Sequence, residues 1–161
     1  MLKTPGFIRD MKPGEEDAVE RLLLAAFETD AEAWLVRKLR KANAIAGETV
    51  LPMGDDIIGY FALSKMVKPK GWLALAPVAI DPEFHRQGFG KRMLGMLTEW
   101  AKITSTPVVV LGNPVFYERC EFDRSAAAKL SGPYPIEFTM LVGVDGTPEE
   151  ELIYPAAFNG V

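Results

Sequence analysis

Apolar and polar residues follow one another along this chain with a period that changes from element to element. Leu73 to Ile80, reading LALAPVAI, is a continuous apolar run of strand length, the pattern of a strand buried on both faces of a sheet. Past Ile80 the period lengthens. Phe89, Met93, Met96 or Leu97, and Trp100 recur at spacings of three and four, with Lys91, Arg92, Thr98, Glu99 and Lys102 elsewhere. That pattern predicts a helix through Lys102 whose methionine and tryptophan side chains face the core. Between run and stripe lies Arg86-Gln87-Gly88-Phe89-Gly90-Lys91, a glycine-containing turn that opens the helix.

The other segments fall in place around this stretch. Gly6 to Arg9 reads as a short first strand. Pro13-Gly14 opens a helix with Glu15, Glu16 and Asp17 in its first turn, the favourable sign for a helix N-terminus, and with Val19, Leu22, Leu23 and Ala26 as its buried stripe. Thr29-Asp30-Ala31-Glu32 has capping-box spacing and starts a second helix that buries Leu35, Leu39 and Trp34. Its C-terminal Arg37, Lys38, Arg40 and Lys41 read as a solvated basic face. Glu48 to Met53 and Ile57 to Lys65 are two strands joined at Gly54-Asp55-Asp56, a hairpin signal. Pro107 to Leu111 is a further buried strand, Val115 to Arg119 a short helix begun near Pro114, and Ile136 to Val144 a long final strand. This order predicts a mixed sheet with helices on both sides.

Length changes the picture little. At 161 residues one domain, 1–161, is expected, with a core over about 6–144 and a C-terminal tail, 145–161, that lacks clear periodicity. The net charge of −4 disfavours an extended nucleic-acid surface. Cys120 stands alone, so no intrachain disulfide is expected, which fits a reducing compartment. No apolar run approaches the ~20 residues of a membrane span, and the N-terminus lacks a signal peptide's apolar core. These features are those of a soluble, cytoplasmic protein with no membrane or nucleic-acid partner; a homodimer is left open.

The glycine turn carries the chemistry. Strand, glycine turn and helix N-terminus bring unpaired backbone N–H groups together, with the helix dipole behind them, and so favour an anion. A Walker loop would need Ser or Thr after Gly90-Lys91, where Arg92 stands; a dinucleotide loop would need a third glycine and a carboxylate ending the next strand. Both nucleotide readings fail on chemistry. Arg86, Gln87, Lys91 and Arg92 surround the turn with cationic and donor groups, as a diphosphate would require.

Val78-Ala79-Ile80-Asp81-Pro82 followed by Phe84-His85-Arg86-Gln87-Gly88-Phe89-Gly90-Lys91 resembles the acetyl-CoA signature of the GNAT superfamily of N-acetyltransferases. Phe116-Tyr117-Glu118-Arg119-Cys120-Glu121-Phe122 is similar to that family's second motif, with Glu121 where a glycine usually stands. Leu111-Gly112-Asn113-Pro114 with Phe116-Tyr117 also resembles a small bacterial branch carrying Leu-Gly-Asp-Pro-x-Tyr-Tyr. The resemblance implies an α/β (α+β) fold with a mixed, mostly antiparallel sheet, helices on both faces and two splayed parallel strands. It implies acetyl-CoA as co-substrate, no metal, and direct attack by the primary amine of a small molecule or peptide. The diphosphate would lie on the amides of Gln87, Gly88, Phe89, Gly90 and Lys91, beside Arg86. The pantetheine arm would pair with the backbone of Val78, Ala79 and Ile80, one N–H of which would polarise the thioester carbonyl, and Asn113 would contact the cofactor. Tyr117 matches the family's proton donor to the leaving thiolate. For the base, the two parallel strands offer no carboxylate; Glu28, Asp30, Glu32, Glu137 or a water chain stay open. The rival reading is an acyl-CoA-binding sensor or accessory domain without turnover.

Overall fold

Gly54-Asp55 closes the first hairpin: β2 (Ile45–Met53) turns into β3 (Asp56–Lys65) with Met53 opposite Asp56. Around it the computed structural model, which describes residues 5–159, builds one six-stranded sheet whose spatial order is its chain order. Residues 1–4, part of the N-terminal stretch read as lacking a leader's core, lie outside the described residues. β1 (Arg9–Asp10) pairs antiparallel with β2, and β4 (Leu73–Ile80) antiparallel with β3. β5 (Val108–Leu111) pairs parallel with β4, and β6 (Thr139–Val142) antiparallel with β5. The fold is the expected one: mixed, mostly antiparallel, with helices on both faces.

Alternation along β3 assigns those faces. Tyr60 and Ala62 pack with Val19, Leu22 and Leu23 of α1 (Glu16–Ala26) and Ala33 and Val36 of α2 (Ala31–Lys41). Phe61 and Leu63 point the other way, to Met93, Leu94, Leu97 and Ala101 of α3 (Phe89–Thr104). α4 (Pro114–Arg119) follows β5, with Asn113 as N-cap: its Oδ1 accepts from the Val115 amide at 3.0 Å. Among the described residues no helix is long and apolar enough to cross a membrane.

Several local expectations are corrected. The buried face of α3 is rotated from the one read off the sequence: Met93 and Leu97 are buried, but Met96 is 51% and Trp100 43% exposed. Both alternatives satisfy a spacing of three or four, and only the position of the sheet selects between them. Trp34 is likewise half exposed; its indole N–H donates to Asp30 and its ring lies under the Arg37 guanidinium. The capping box at Thr29 does not form, because α2 begins at Ala31 with Asp30 as N-cap, which leaves Glu32 free of a capping role. The first strand begins later than expected: β1 is Arg9–Asp10, and Gly6 to Ile8 lie outside it. The long last strand is cut to four residues, since Pro135 starts a turn in which Phe138 N–H and the Thr139 hydroxyl both donate to the Pro135 carbonyl.

The basic end of α2 is only partly solvated. Arg40 turns inward, and Glu48 Oε1 accepts from Arg40 Nε at 3.0 Å, from Arg40 Nη2 at 2.7 Å and from the Tyr60 hydroxyl at 2.6 Å. The C-terminal tail is docked as well. Ile153 exchanges backbone hydrogen bonds with Val67 and Lys68, and Leu152 donates to Ser131. Leu152 and Phe158 join a cluster with Leu35, Leu39, Ala74, Val109 and Leu141, and burying two such side chains stabilises the docking by roughly 1.5–3 kcal/mol each.

Candidate active site

β4 and β5 run side by side for only three residue pairs, Leu73 to Leu75 against Val108 to Val110. Beyond them the strands part. The cause lies on the other edge of β4. Phe61 faces Val78 and Leu63 faces Leu75, so Ala76 and Pro77 together oppose Ala62 in a bulge that bends β4 away from β5. Pro77, without an N–H, sits where a ladder bond is already lost.

The bulge leaves a specific set of backbone groups open. Ala79 is register partner to Tyr60, and Asp81 N–H donates to Ile58 at 2.8 Å, so residues 79 and 81 address β3. By alternation, Val78 and Ile80 present their groups to the gap. His85 Nε2 donates to the Ile80 carbonyl at 2.7 Å and ties the following turn to the strand end. Ala79, expected to share in cofactor pairing, instead has its side chain buried against the α1 face and its backbone turned to β3.

The glycine turn then delivers the amides at the N-terminus of α3. Gly88 is the N-cap at φ 82°, a conformation that glycine adopts without strain, and Arg86 at φ 64° makes a second left-handed position. The first helical bond runs from Arg92 N–H to the Gly88 carbonyl, so the amides of Phe89, Gly90 and Lys91 precede the ladder and lack helical acceptors. A Cβ at Gly90 would lie 3.3 Å from Phe116 Cζ, so helix and α4 approach closely there. A groove of about 880 Å³ runs over these atoms, lined by Val78, Ile80, Phe84, His85, Arg86, Gly88, Phe89, Gly90, Lys91, Asn113, Phe116, Tyr117 and Arg119. It contains three permanently cationic side chains and no carboxylate, in a chain of net charge −4. Of the expected cofactor residues, Ala79 and Gln87 do not line it; the Gln87 side-chain amide donates to the Glu83 carbonyl, at 3.4 Å, and the bond does not involve its backbone N–H. Phe84, Phe116 and Arg119 do line it; the sequence motifs contain them, but not as expected cofactor contacts.

A second cavity, of about 290 Å³, opens on the α2 side of the same gap. Its floor is Ala74 to Val78, and its walls include Phe27, Glu32, Leu35, Tyr117, Tyr134, Tyr154 and Phe158. Two of these aromatic walls come from the tail, whose lack of periodicity hid them. Of the four carboxylates considered for the base, only Glu32 lines this cavity; Glu28, Asp30 and Glu137 are exposed elsewhere.

Val78 and Tyr117 border both spaces. The Tyr117 ring packs edge-on against Phe116 and Phe122, with centroids at 5.1 and 5.8 Å. Burial, with the neighbouring Cys120 thiol, pushes its hydroxyl up to about 12. Burial likewise pushes up the Cys120 thiol, which belongs to the core beneath α3. Glu121 stands in the left-handed region at φ 77°, so the turn into Phe122 is kept without the glycine. Among the described residues no three His, Cys, Asp or Glu side chains cluster to hold a metal ion. A cradle of free amides, cationic walls and an open strand edge has the donor set a diphosphate and an amide-bearing arm require, so the residues present fit CoA.

Residues 13–122 match the model of the acetyltransferase (GNAT) family. The chain is 30% identical over 163 residues to the uncharacterized N-acetyltransferase YhbS of Escherichia coli (strain K12), covering 96% of this chain and 91% of that protein. The crystal structure of YhbS from Escherichia coli in complex with CoA matches with a TM-score of 0.84 at 27% identity, covering 95% of this chain and 91% of that one. A GNAT family acetyltransferase from Brucella melitensis in complex with acetyl-CoA shares the fold, with a TM-score of 0.78 at 21% identity over 95% of this chain and 97% of that one. The family match spans more than half of the sequence, and the chain belongs to the GNAT family of acetyltransferases, which use acetyl-CoA as co-substrate.

Proposed function

We propose that the protein transfers the acetyl group of acetyl-CoA to a primary amine by direct attack. The observation that carries this reading is the meeting of two unlike spaces at Val78 and Tyr117: a cationic groove on one side, and an apolar cavity with one carboxylate on the other. Acetyl-CoA supplies an acyl group activated as a thioester. The groove amides and Arg86, Lys91 and Arg119 hold its anionic end. The open groups of Val78 and the Ile80 N–H align its arm, and the Val78 N–H, nearest the cavity, polarises the reacting carbonyl. Removing one such donor typically costs ~3 kcal/mol of transition-state stabilisation.

Tyr117 serves the leaving sulfur. A hydroxyl near 12 stays protonated at neutral pH. Full transfer to a thiolate of ordinary thiol pKa, ~8.5, is uphill by roughly 5 kcal/mol. Tyr117 therefore acts as a hydrogen-bond donor to the sulfur as its charge grows; the attacking nitrogen loses its proton to Glu32 or to water, and solvent protonates the departing thiolate.

Incubation with acetyl-CoA and a panel of amines tests the reading by release of free CoA thiol. Amine-dependent release is expected. Tight binding with no release for any amine would establish the sensor reading instead. Binding itself is read by thermal shift: ligand at 100 times its dissociation constant adds about 2.7 kcal/mol, or roughly 5–10 °C for a chain of this size. A shift with ATP or NAD but none with acetyl-CoA would overturn the assignment of the groove.

A further inference from the structure

The cavity on the α2 side limits what the amine can be. Glu32 is its one charged side chain, and the other lining residues that carry a polar side-chain atom are Tyr117, Tyr134 and Tyr154. Everything else is aliphatic or aromatic. Its volume of about 290 Å³ suits one compact group at the reacting end of the amine.

Glu32 is half-buried in the first turn of α2. It closes no capping box, and among the described residues it forms no ion pair. A carboxylate at the rim of an apolar cavity, with no cation of its own, offers a pairing site to an arriving one. In the same lining, Tyr134 packs edge-on against Tyr154 with centroids at 5.1 Å and an interplanar angle of 78°, and Tyr154 meets Phe158 at 5.3 Å. Such a cluster presents ring faces and edges to an incoming ring or cation. A polyamine, an amino sugar or an extended peptide would bring further charged or hydroxyl groups. The cavity has too few polar side chains to pair those that enter it, and each such group would lose water without gaining a partner.

From this we infer that the acceptor is a primary amine carried on a single aromatic or branched apolar group, with Glu32 pairing its ammonium on arrival, before the proton leaves to Glu32 or water and the free amine attacks. The inference rests on the amine-acetyltransferase reading above and adds the acceptor class to it. The remaining occupant of comparable size, a long acyl chain, would leave Glu32 without a cation.

The test compares initial rates for 2-phenylethylamine, spermidine and a glycine-initiated tripeptide amide at saturating acetyl-CoA, in the unaltered protein and in Glu32→Gln. Expected is a kcat/KM for 2-phenylethylamine at least tenfold above the other two. Glu32→Gln should raise its KM at least tenfold while the KM for acetyl-CoA stays within twofold. Inhibition by the neutral analogue 2-phenylethanol should be the same in both proteins. A preference for spermidine or the peptide would overturn the inference. So would an amine KM that ignores Glu32→Gln, or a tenfold preference for hexanoyl-CoA over acetyl-CoA, which assigns the cavity to the acyl chain. If no amine releases CoA, the transferase reading fails separately. Calorimetric titration of 2-phenylethylamine then decides the cavity: tenfold weaker binding to Glu32→Gln upholds the pairing, and no binding to the unaltered protein refutes it.

Discussion

Gly112 makes the space in which the Tyr117 ring lies: a Cβ at position 112 would sit 2.5 Å from Tyr117 Cε2 and 3.2 Å from Cδ2. Those atoms belong to the body of the ring, whose far side packs on Phe116 and Phe122. The glycine after β5 thus sets the position of the hydroxyl between groove and cavity.

Two substitutions separate position from chemistry at this point. Tyr117→Phe should lower kcat about 10²-fold, the usual loss for one transition-state hydrogen-bond donor, with the affinity for CoA within about twofold. Gly112→Ala should reach a similar kcat loss with the hydroxyl still present. Burial holds the hydroxyl at about 12, so Tyr117 stays neutral below that pH. The ratio of unaltered to Tyr117→Phe rates should accordingly be flat from pH 7 to pH 10. A ratio that collapses by pH 9 would mean that the hydroxyl ionises in that range and is not the donor.

Arg119 lines the groove from the last turn of α4, opposite the α3 amides. Arg119→Ala should raise the KM for acetyl-CoA about tenfold, or ~1.4 kcal/mol, and leave kcat unchanged. Because the contact is exposed, the difference should shrink in 0.5 M salt. An unchanged KM at low salt would remove Arg119 from cofactor binding.

Glu48 is the hub beneath α2. Its one oxygen takes two Arg40 hydrogen bonds and one from Tyr60, whose ring is fully buried and whose hydroxyl is held protonated by burial and by the Glu48 charge. Glu48→Ala leaves the half-buried Arg40 charge and the Tyr60 hydroxyl unpaired, and should destabilise by about 3 kcal/mol. Tyr60→Phe removes one hydrogen bond and should cost about 1 kcal/mol. Urea midpoints at pH 7 measure both; equal losses would refute the hub.

Glu15 governs part of the acid stability. Bidentate hydrogen bonds from Arg9 at 2.8 Å, then the Lys12 amide, hold its carboxyl down at about 2. In the unfolded chain it titrates near 4.3. On acidification the unfolded state binds the proton first, so this stabilisation is full above about pH 5 and drains away between about 5 and 2. The pair is 30% and 21% exposed, so solvent screening leaves about 1 kcal/mol. Glu15→Gln should be less stable at pH 7 by about that amount and nearly equal at pH 2.5. A gap that persists at low pH would contradict the linkage.

Sequence by itself determined the cofactor half of this protein. The run Leu73 to Ile80 and the turn at Gly88 and Gly90 are local signals: backbone conformation, a missing N–H at Pro77, and short spacings within one strand–turn–helix unit. Such features depend on neighbours along the chain and survive being read one segment at a time. The rotation of α3 was not legible, because Met93 with Trp100 and Met93 with Leu97 satisfy the helical period equally until the sheet beneath them is placed. Nor was the inward turn of Arg40, which is fixed by Glu48 on another element. The acceptor cavity lies wholly on that side of the division. Phe27, Glu32, Tyr134 and Tyr154 come from four separate segments, and no periodicity connects residues that only long-range packing brings to one wall.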